Sequence, residues 1–91
     1  MTTFLRVEGP FDRETAMRYR SRLIGLACRH PVVVVDLERV SRMDFAGVAT
    51  LLESSGWIRQ HGGDLWLINI PPRIRPILRL LDGSTRLAIV G

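Results

Sequence analysis

The stretch VVVVDLERVSRMDFAG, residues 32–47, decides how the chain folds. Four consecutive valines lead into Asp36 and Leu37. β-branched residues without alternation suit a sheet covered on both faces, so residues 32–37 are predicted to form a fully buried strand. A short polar turn follows. Asp44 then precedes an amphipathic run reaching about His61, where its carboxylate can accept from the unpaired N–H groups of a first helical turn. A strand, a loop and a helix N-terminus in succession form a place to present a group to a partner or ligand.

Working outward, the helix is expected over about residues 45–60. Val48, Leu51, Leu52, Ser55 and Ile58 share one face at ~100° per residue, and this face should pack on the sheet. The opposite face carries Ala46, Thr50, Glu53 and Trp57, a stripe predicted to run outward from the loop. Tryptophan is a favoured interface anchor, so Trp57 either meets a partner or covers a neighbouring part of its own chain. Gly62-Gly63 supplies a turn, and residues 64–70 form another apolar strand with Trp66 in core or edge packing. A short helix should start near Arg73, since Pro76 is tolerated only in a first turn. Its apolar face is Ile74, Ile77, Leu78 and Leu81. Asp82-Gly83 stops it before a last strand over residues 87–90.

Toward the N-terminus, residues 3–7 alternate as a strand and Gly9-Pro10 breaks it. Asp12 is placed to cap a helix whose stripe is Ala16, Tyr19, Leu23, Leu26 and Ala27, and His30-Pro31 ends it. The predicted order is β-α-β-α-β-α-β, one α/β domain over residues 1–91 with right-handed crossovers and a mainly parallel sheet.

Composition narrows the function classes. An apolar fraction of 46% in 91 residues supports one core. No apolar run reaches the ~20 residues that span a bilayer, and no signal-peptide pattern opens the chain, so no membrane insertion is expected. A single cysteine, Cys28, fits a reducing, cytoplasmic setting. The net charge is +4, and all thirteen basic residues are arginine. They are dispersed and do not interleave with aromatics, so a nucleic-acid partner is not expected. An acidic protein or a negatively charged membrane surface suits the charge as well.

Residues that could carry catalysis are sparse. His30 and His61 lie at helix ends outside any metal-ligand spacing, and no glycine-rich loop with lysine is present. Asp36 and Asp44 flank the loop without a nucleophile or base beside them, which points to hydrogen bonding and capping. No catalytic residue, metal or cofactor is expected.

Taken together, the motifs resemble the STAS family, the anti-sigma factor antagonist domains. The resemblance rests on the valine strand ending in Asp36-Leu37, then Met43-Asp44 with Gly47-Val48-Ala49. Gly9-Pro10-Phe11-Asp12 with Thr15-Ala16 matches the family's approach to its first helix. His61-Gly62-Gly63-Asp64-Leu65 matches the turn after its second, and Pro72-Arg73-Ile74 with Leu80-Leu81-Asp82-Gly83 matches its third helix and stop. The match covers roughly residues 4–90. Family members usually add a strand before residue 4 and a helix after the last strand. Their absence here would leave an edge or apolar patch suited to a homodimer.

The resemblance implies a bacterial transcription regulator acting by protein–protein interaction. In such relatives the unmodified domain binds an ATP-dependent anti-sigma kinase and frees a sigma factor, and phosphorylation of a hydroxyl at the second helix breaks the contact. Where the family reads Asp-Ser-Ser/Thr-Gly, this chain reads Asp44-Phe45-Ala46-Gly47, so the phosphorylation position is Ala46, which has no hydroxyl. Ser41 and Thr50 are the neighbouring hydroxyls. The partner-binding residues implied are Ser41, Arg42, Met43, Asp44, Phe45, Ala46, Gly47, Thr50, Glu53 and Trp57. Two alternatives stay open: a small STAS subunit of a bacterial lipid-transport ABC ATPase, and small-ligand or nucleotide binding at the strand ends.

Overall fold

The computed structural model describes residues 1–81 and 88–90. Its elements run β1 (Thr2–Arg6), β2 (Gly9–Phe11), α1 (Ala16–Ala27), β3 (Val32–Asp36), β4 (Val40–Met43), α2 (Phe45–Gln60), β5 (Asp64–Ile68), α3 (Arg75–Leu81) and β6 (Ala88–Val90). Four strands form one sheet in the order β1-β3-β5-β6, every neighbouring pair parallel. This is the mainly parallel α/β architecture expected, with helices packed on the sheet. The predicted stop at Asp82-Gly83 and the start of the last strand at Leu87 lie outside the described residues.

Two elements correct the sequence reading. Gly9-Pro10 does not simply break a strand, and residues 38–43 are not only a polar turn. Gly9–Phe11 and Val40–Met43 pair as a second, two-stranded parallel sheet. Its register shifts between Gly9 and Pro10, where proline has no N–H to give to a ladder. Smaller shifts occur at the ends. Asn69 at φ 54° closes β5 before Ile70. The cap of α1 is Thr15, while Asp12 caps the turn that leads into it.

The core explains how the layers hold. Leu5, Val33, Val35, Leu65 and Leu67 are buried on one face of the sheet, with Tyr19 and Leu23 of α1 and Val48, Leu51 and Ile58 of α2. Burying each such side chain contributes roughly 1.5–3 kcal/mol. The other sheet face is open, against the expectation that β3 is covered on both sides. Phe4, Val34 and Trp66 form a row across three strands there, with Phe4 66% and Trp66 38% exposed. Trp66 is thus neither core nor edge packing. β3 alternates between buried Val33 and Val35 and half-buried Val32 and Val34. The alternation was masked because outward positions are also valine.

Candidate functional site

The junction of β4 and α2 is built around Asp44. Its backbone is extended, and its Oδ1 accepts from the N–H groups of Ala46 at 2.9 Å and Gly47 at 3.2 Å. That arrangement satisfies two of the donors a helix start leaves unpaired. The Asp44 N–H donates to the Phe11 carbonyl at 3.4 Å, tying the helix start to the end of β2. Gly47 lies against the same carbonyl, and a Cβ there would sit 2.3 Å from the Phe11 oxygen. Only glycine permits this approach.

The preceding loop is held from two directions. Arg42 Nη2 lies 2.7 Å from Asp12 Oδ2, an ion pair linking β4 to the approach of α1. The other Asp12 oxygen accepts from the N–H groups of Glu14 at 3.0 Å and Thr15 at 3.2 Å. Desolvation pushes the Asp12 carboxyl up, but the Thr15 and Glu14 N–H groups and the Arg42 guanidinium outweigh it, so its pKa lies below the ordinary value. From the other side, Arg73 Nη2 donates to the carbonyls of Val40 and Ser41, each at 3.0 Å.

Held in this way, the junction presents one large apolar side chain. Phe45, the first residue of α2, is 74% exposed. Beside it is a groove of about 240 Å³ lined by Met43, Asp44, Phe45 and Ile77, bringing the start of α2 beside α3.

The ten residues singled out from the sequence separate by burial. Ser41, Arg42, Asp44, Phe45 and Glu53 are exposed, and Ala46 and Trp57 are half-buried. Met43, Gly47 and Thr50 are buried, and of these Met43 still lines the groove beside Phe45. The stripe Ala46, Thr50, Glu53 and Trp57 does not run outward as expected. It flanks α1, which packs against α2 and whose Arg20 lies 3.6 Å from Glu53. Trp57 stacks on His61 with ring centroids 3.9 Å apart, and His61 Nδ1 lies 2.8 Å from the Trp57 carbonyl oxygen. Its indole therefore covers its own helix end. The outward face of α2 carries Phe45, Ala49, Glu53 and Gly56, so only Glu53 of the expected stripe is exposed. Sequence reasoning did not place Asp12, Arg73 and Ile77 at this site: Asp12 was read as a helix cap, Arg73 as part of the third-helix motif and Ile77 as part of that helix's apolar face.

No helix among the described residues is long and apolar enough to cross a membrane. The model of the STAS domain family matches residues 2–85. The chain belongs to the STAS domain family. Solved structures share its fold. The anti-sigma factor antagonist SpoIIAA in its unphosphorylated form is 20% identical at a TM-score of 0.76, and the match covers 99% of this chain and 79% of that one. The STAS domain of a SulP transporter from Vibrio cholerae is 20% identical at a TM-score of 0.70, covering 89% of this chain and 63% of that one. The murine anion transporter Slc26a9 is 16% identical at a TM-score of 0.81, covering 92% of this STAS domain but 14% of the transporter chain. No curated protein sequence matches it.

Proposed function

We propose that this STAS domain is a non-catalytic, cytoplasmic regulatory module. It binds an anti-sigma factor or kinase-type protein through the β4–α2 loop and the start of α2. The observation that carries this reading is the 74% exposure of Phe45 on a backbone pinned by the Asp44 cap, the Asp12–Arg42 pair and the Arg73 hydrogen bonds. Leaving an aromatic ring in water forfeits roughly 1.5–3 kcal/mol that a partner recovers by covering it. A rigid presenting loop keeps the ordering cost of binding low.

A phosphoryl group placed at such a surface would bring about −1.5 to −2 charges into the contact and oppose it. Ala46 offers no atom to receive one, so the contact is permanent with respect to that switch. Thr50 is buried, which leaves Ser41 as the exposed hydroxyl nearby.

The likeness to the SulP and Slc26a9 domains supports a second reading, in which the same surface docks on a transport assembly. One experiment addresses both. Phe45 and, as a control, Gln60 at the far end of α2 are replaced in turn by p-benzoylphenylalanine and irradiated in the native cells. A protein adduct is expected at position 45 and not at 60, and its identity separates kinase from transporter. Adducts at 60 alone, or none at 45, would move the interface elsewhere.

A further inference from the structure

The charge of this chain is not spread evenly. Residues 13–29 hold five arginines and one glutamate, while the rest of the chain holds eight arginines and eight acidic residues. The whole formal net charge of +4 therefore sits on α1 and its flanks. Arg13, Arg18, Arg20, Arg22 and Arg29 are all exposed. Arg20 is met by Glu53, and among the described residues no carboxylate lies within ion-pair range of the other four. Arg18 lies over the Tyr19 ring, its guanidinium carbon 5.2 Å from the ring centroid.

The shape of this face is as informative as its charge. In the last turn of α1, Gly25 leaves open space, since a Cβ there would meet nothing within 4 Å. The resulting trough of about 330 Å³ is lined by Ser21, Arg22, Gly25, Leu26 and Arg29. Its floor is helix backbone and the half-buried Leu26, with an arginine at either end. Arg22 lies within α1, and Arg29 lies in the turn just past its C-terminal end.

From these features we infer that α1 carries a second docking surface, and that its occupant is an acidic amphipathic helix of a protein partner. An apolar side chain of that helix enters the trough over Gly25, and carboxylates one or two turns to either side meet Arg22 and Arg29. Charge complementarity selects an anionic partner and speeds encounter. The trough selects among anions. A lipid surface is flat and gains nothing from a cavity above a glycine. Of the large apolar residues of α1, Tyr19 and Leu23 are buried in the core and Ile24 and Leu26 are half-buried, leaving Met17 as the large exposed apolar side chain. A single-stranded nucleic acid binds by stacking on exposed rings, and the Tyr19 ring of α1 is buried.

The test uses the full chain and fluorescein-labelled synthetic peptides read by fluorescence polarisation. One peptide is a helix with leucines on one face flanked by glutamates, and its twin carries lysines in their place. An oligothymidine strand and phosphatidylserine vesicles serve as the competing anions. The acidic helix is expected to bind at least about tenfold tighter than the other probes and to weaken with salt. Arg22→Glu with Arg29→Glu should reduce that affinity by at least about tenfold. Gly25→Leu should reduce it as well while raising the melting temperature, because leucine is the better helix former and its Cβ has nothing within 4 Å, so the loss is not unfolding. Phe45→Ala should leave this binding unchanged, which keeps the α1 surface distinguishable from the loop. The inference is overturned by no binding of the acidic helix, by tighter binding of oligothymidine or vesicles, or by an affinity indifferent to Gly25→Leu and the arginine reversals.

Discussion

Gly47→Ala isolates the contact that fixes the loop. The added Cβ would lie 2.3 Å from the Phe11 carbonyl oxygen and 3.0 Å from Met43 Cγ. The first of these is a backbone atom, so no side-chain rotation relieves it. Either α2 moves off β2, stretching the hydrogen bond from Asp44 N–H to the Phe11 carbonyl, or the end of β2 leaves β4. Overpacking of this kind costs typically 1–3 kcal/mol, and a backbone clash in a buried junction belongs near the upper end, about 2–3 kcal/mol. For a domain of this size that lowers the melting temperature by about 10–20 °C. Gly56→Ala is the matched control in the same helix, since its Cβ meets nothing within 4 Å. It should stabilise by roughly 0.5–1 kcal/mol through helix propensity. Thermal unfolding followed by circular dichroism reads both. A Gly47→Ala protein melting within about 3 °C of the parent would refute the close approach and with it the rigidity of the loop.

Three further outcomes follow from the same geometry. Asp44→Ala removes the acceptor of two helix N–H groups and should cost about 1 kcal/mol in urea unfolding, with Asp44→Ser recovering most of it; equal stability of the two variants would argue against the cap. Because the Asp12 pKa is lowered in the folded state, its contribution is fully present above the unfolded carboxylate value near pH 4 and disappears as pH falls through the folded one. Asp12→Asn should therefore flatten the acid limb of the stability curve, and an unaltered limb would place that titration elsewhere. Ser54 is fully buried with its hydroxyl unpartnered, so Ser54→Ala should raise stability by about 1 kcal/mol. A lower melting temperature would mean the hydroxyl is hydrogen-bonded in solution.

How far the sequence could be read depended on whether the forces were local. The bounds of α2 were legible because Asp44 caps it and apolar residues recur through it at helical spacing. β2 and β4 were not, because each is short, contains turn-forming or charged residues, and exists only through pairing with the other some thirty residues away. The open face of the main sheet was hidden for a related reason. Phe4, Val34 and Trp66 are as apolar as the residues facing the helices, so alternation in burial left no alternation in polarity. On α2 the expected outward stripe met α1 because this helix buries two sides, one of them through Thr50 and Ser54. A polar residue signals exposure only until a second helix covers it. Asp44, Phe45 and Ala46 were identified by a local motif, whereas only the tertiary structure brings Asp12, Arg73 and Ile77 to the same junction.

The most direct measurement is the dissociation constant, by titration calorimetry, between this domain and the protein cross-linked from position 45, for the parent, Ala46→Ser and Ala46→Glu. Ala46 is the second residue of α2, where a negative charge suits the helix end, so Ala46→Glu should fold normally. The account predicts near-parental affinity for Ala46→Ser and an affinity at least about 100-fold weaker for Ala46→Glu, the consequence of forcing a charge into a packed contact. Equal affinity for parent and Ala46→Glu, with both folded, would contradict the placement of the partner on the β4–α2 junction.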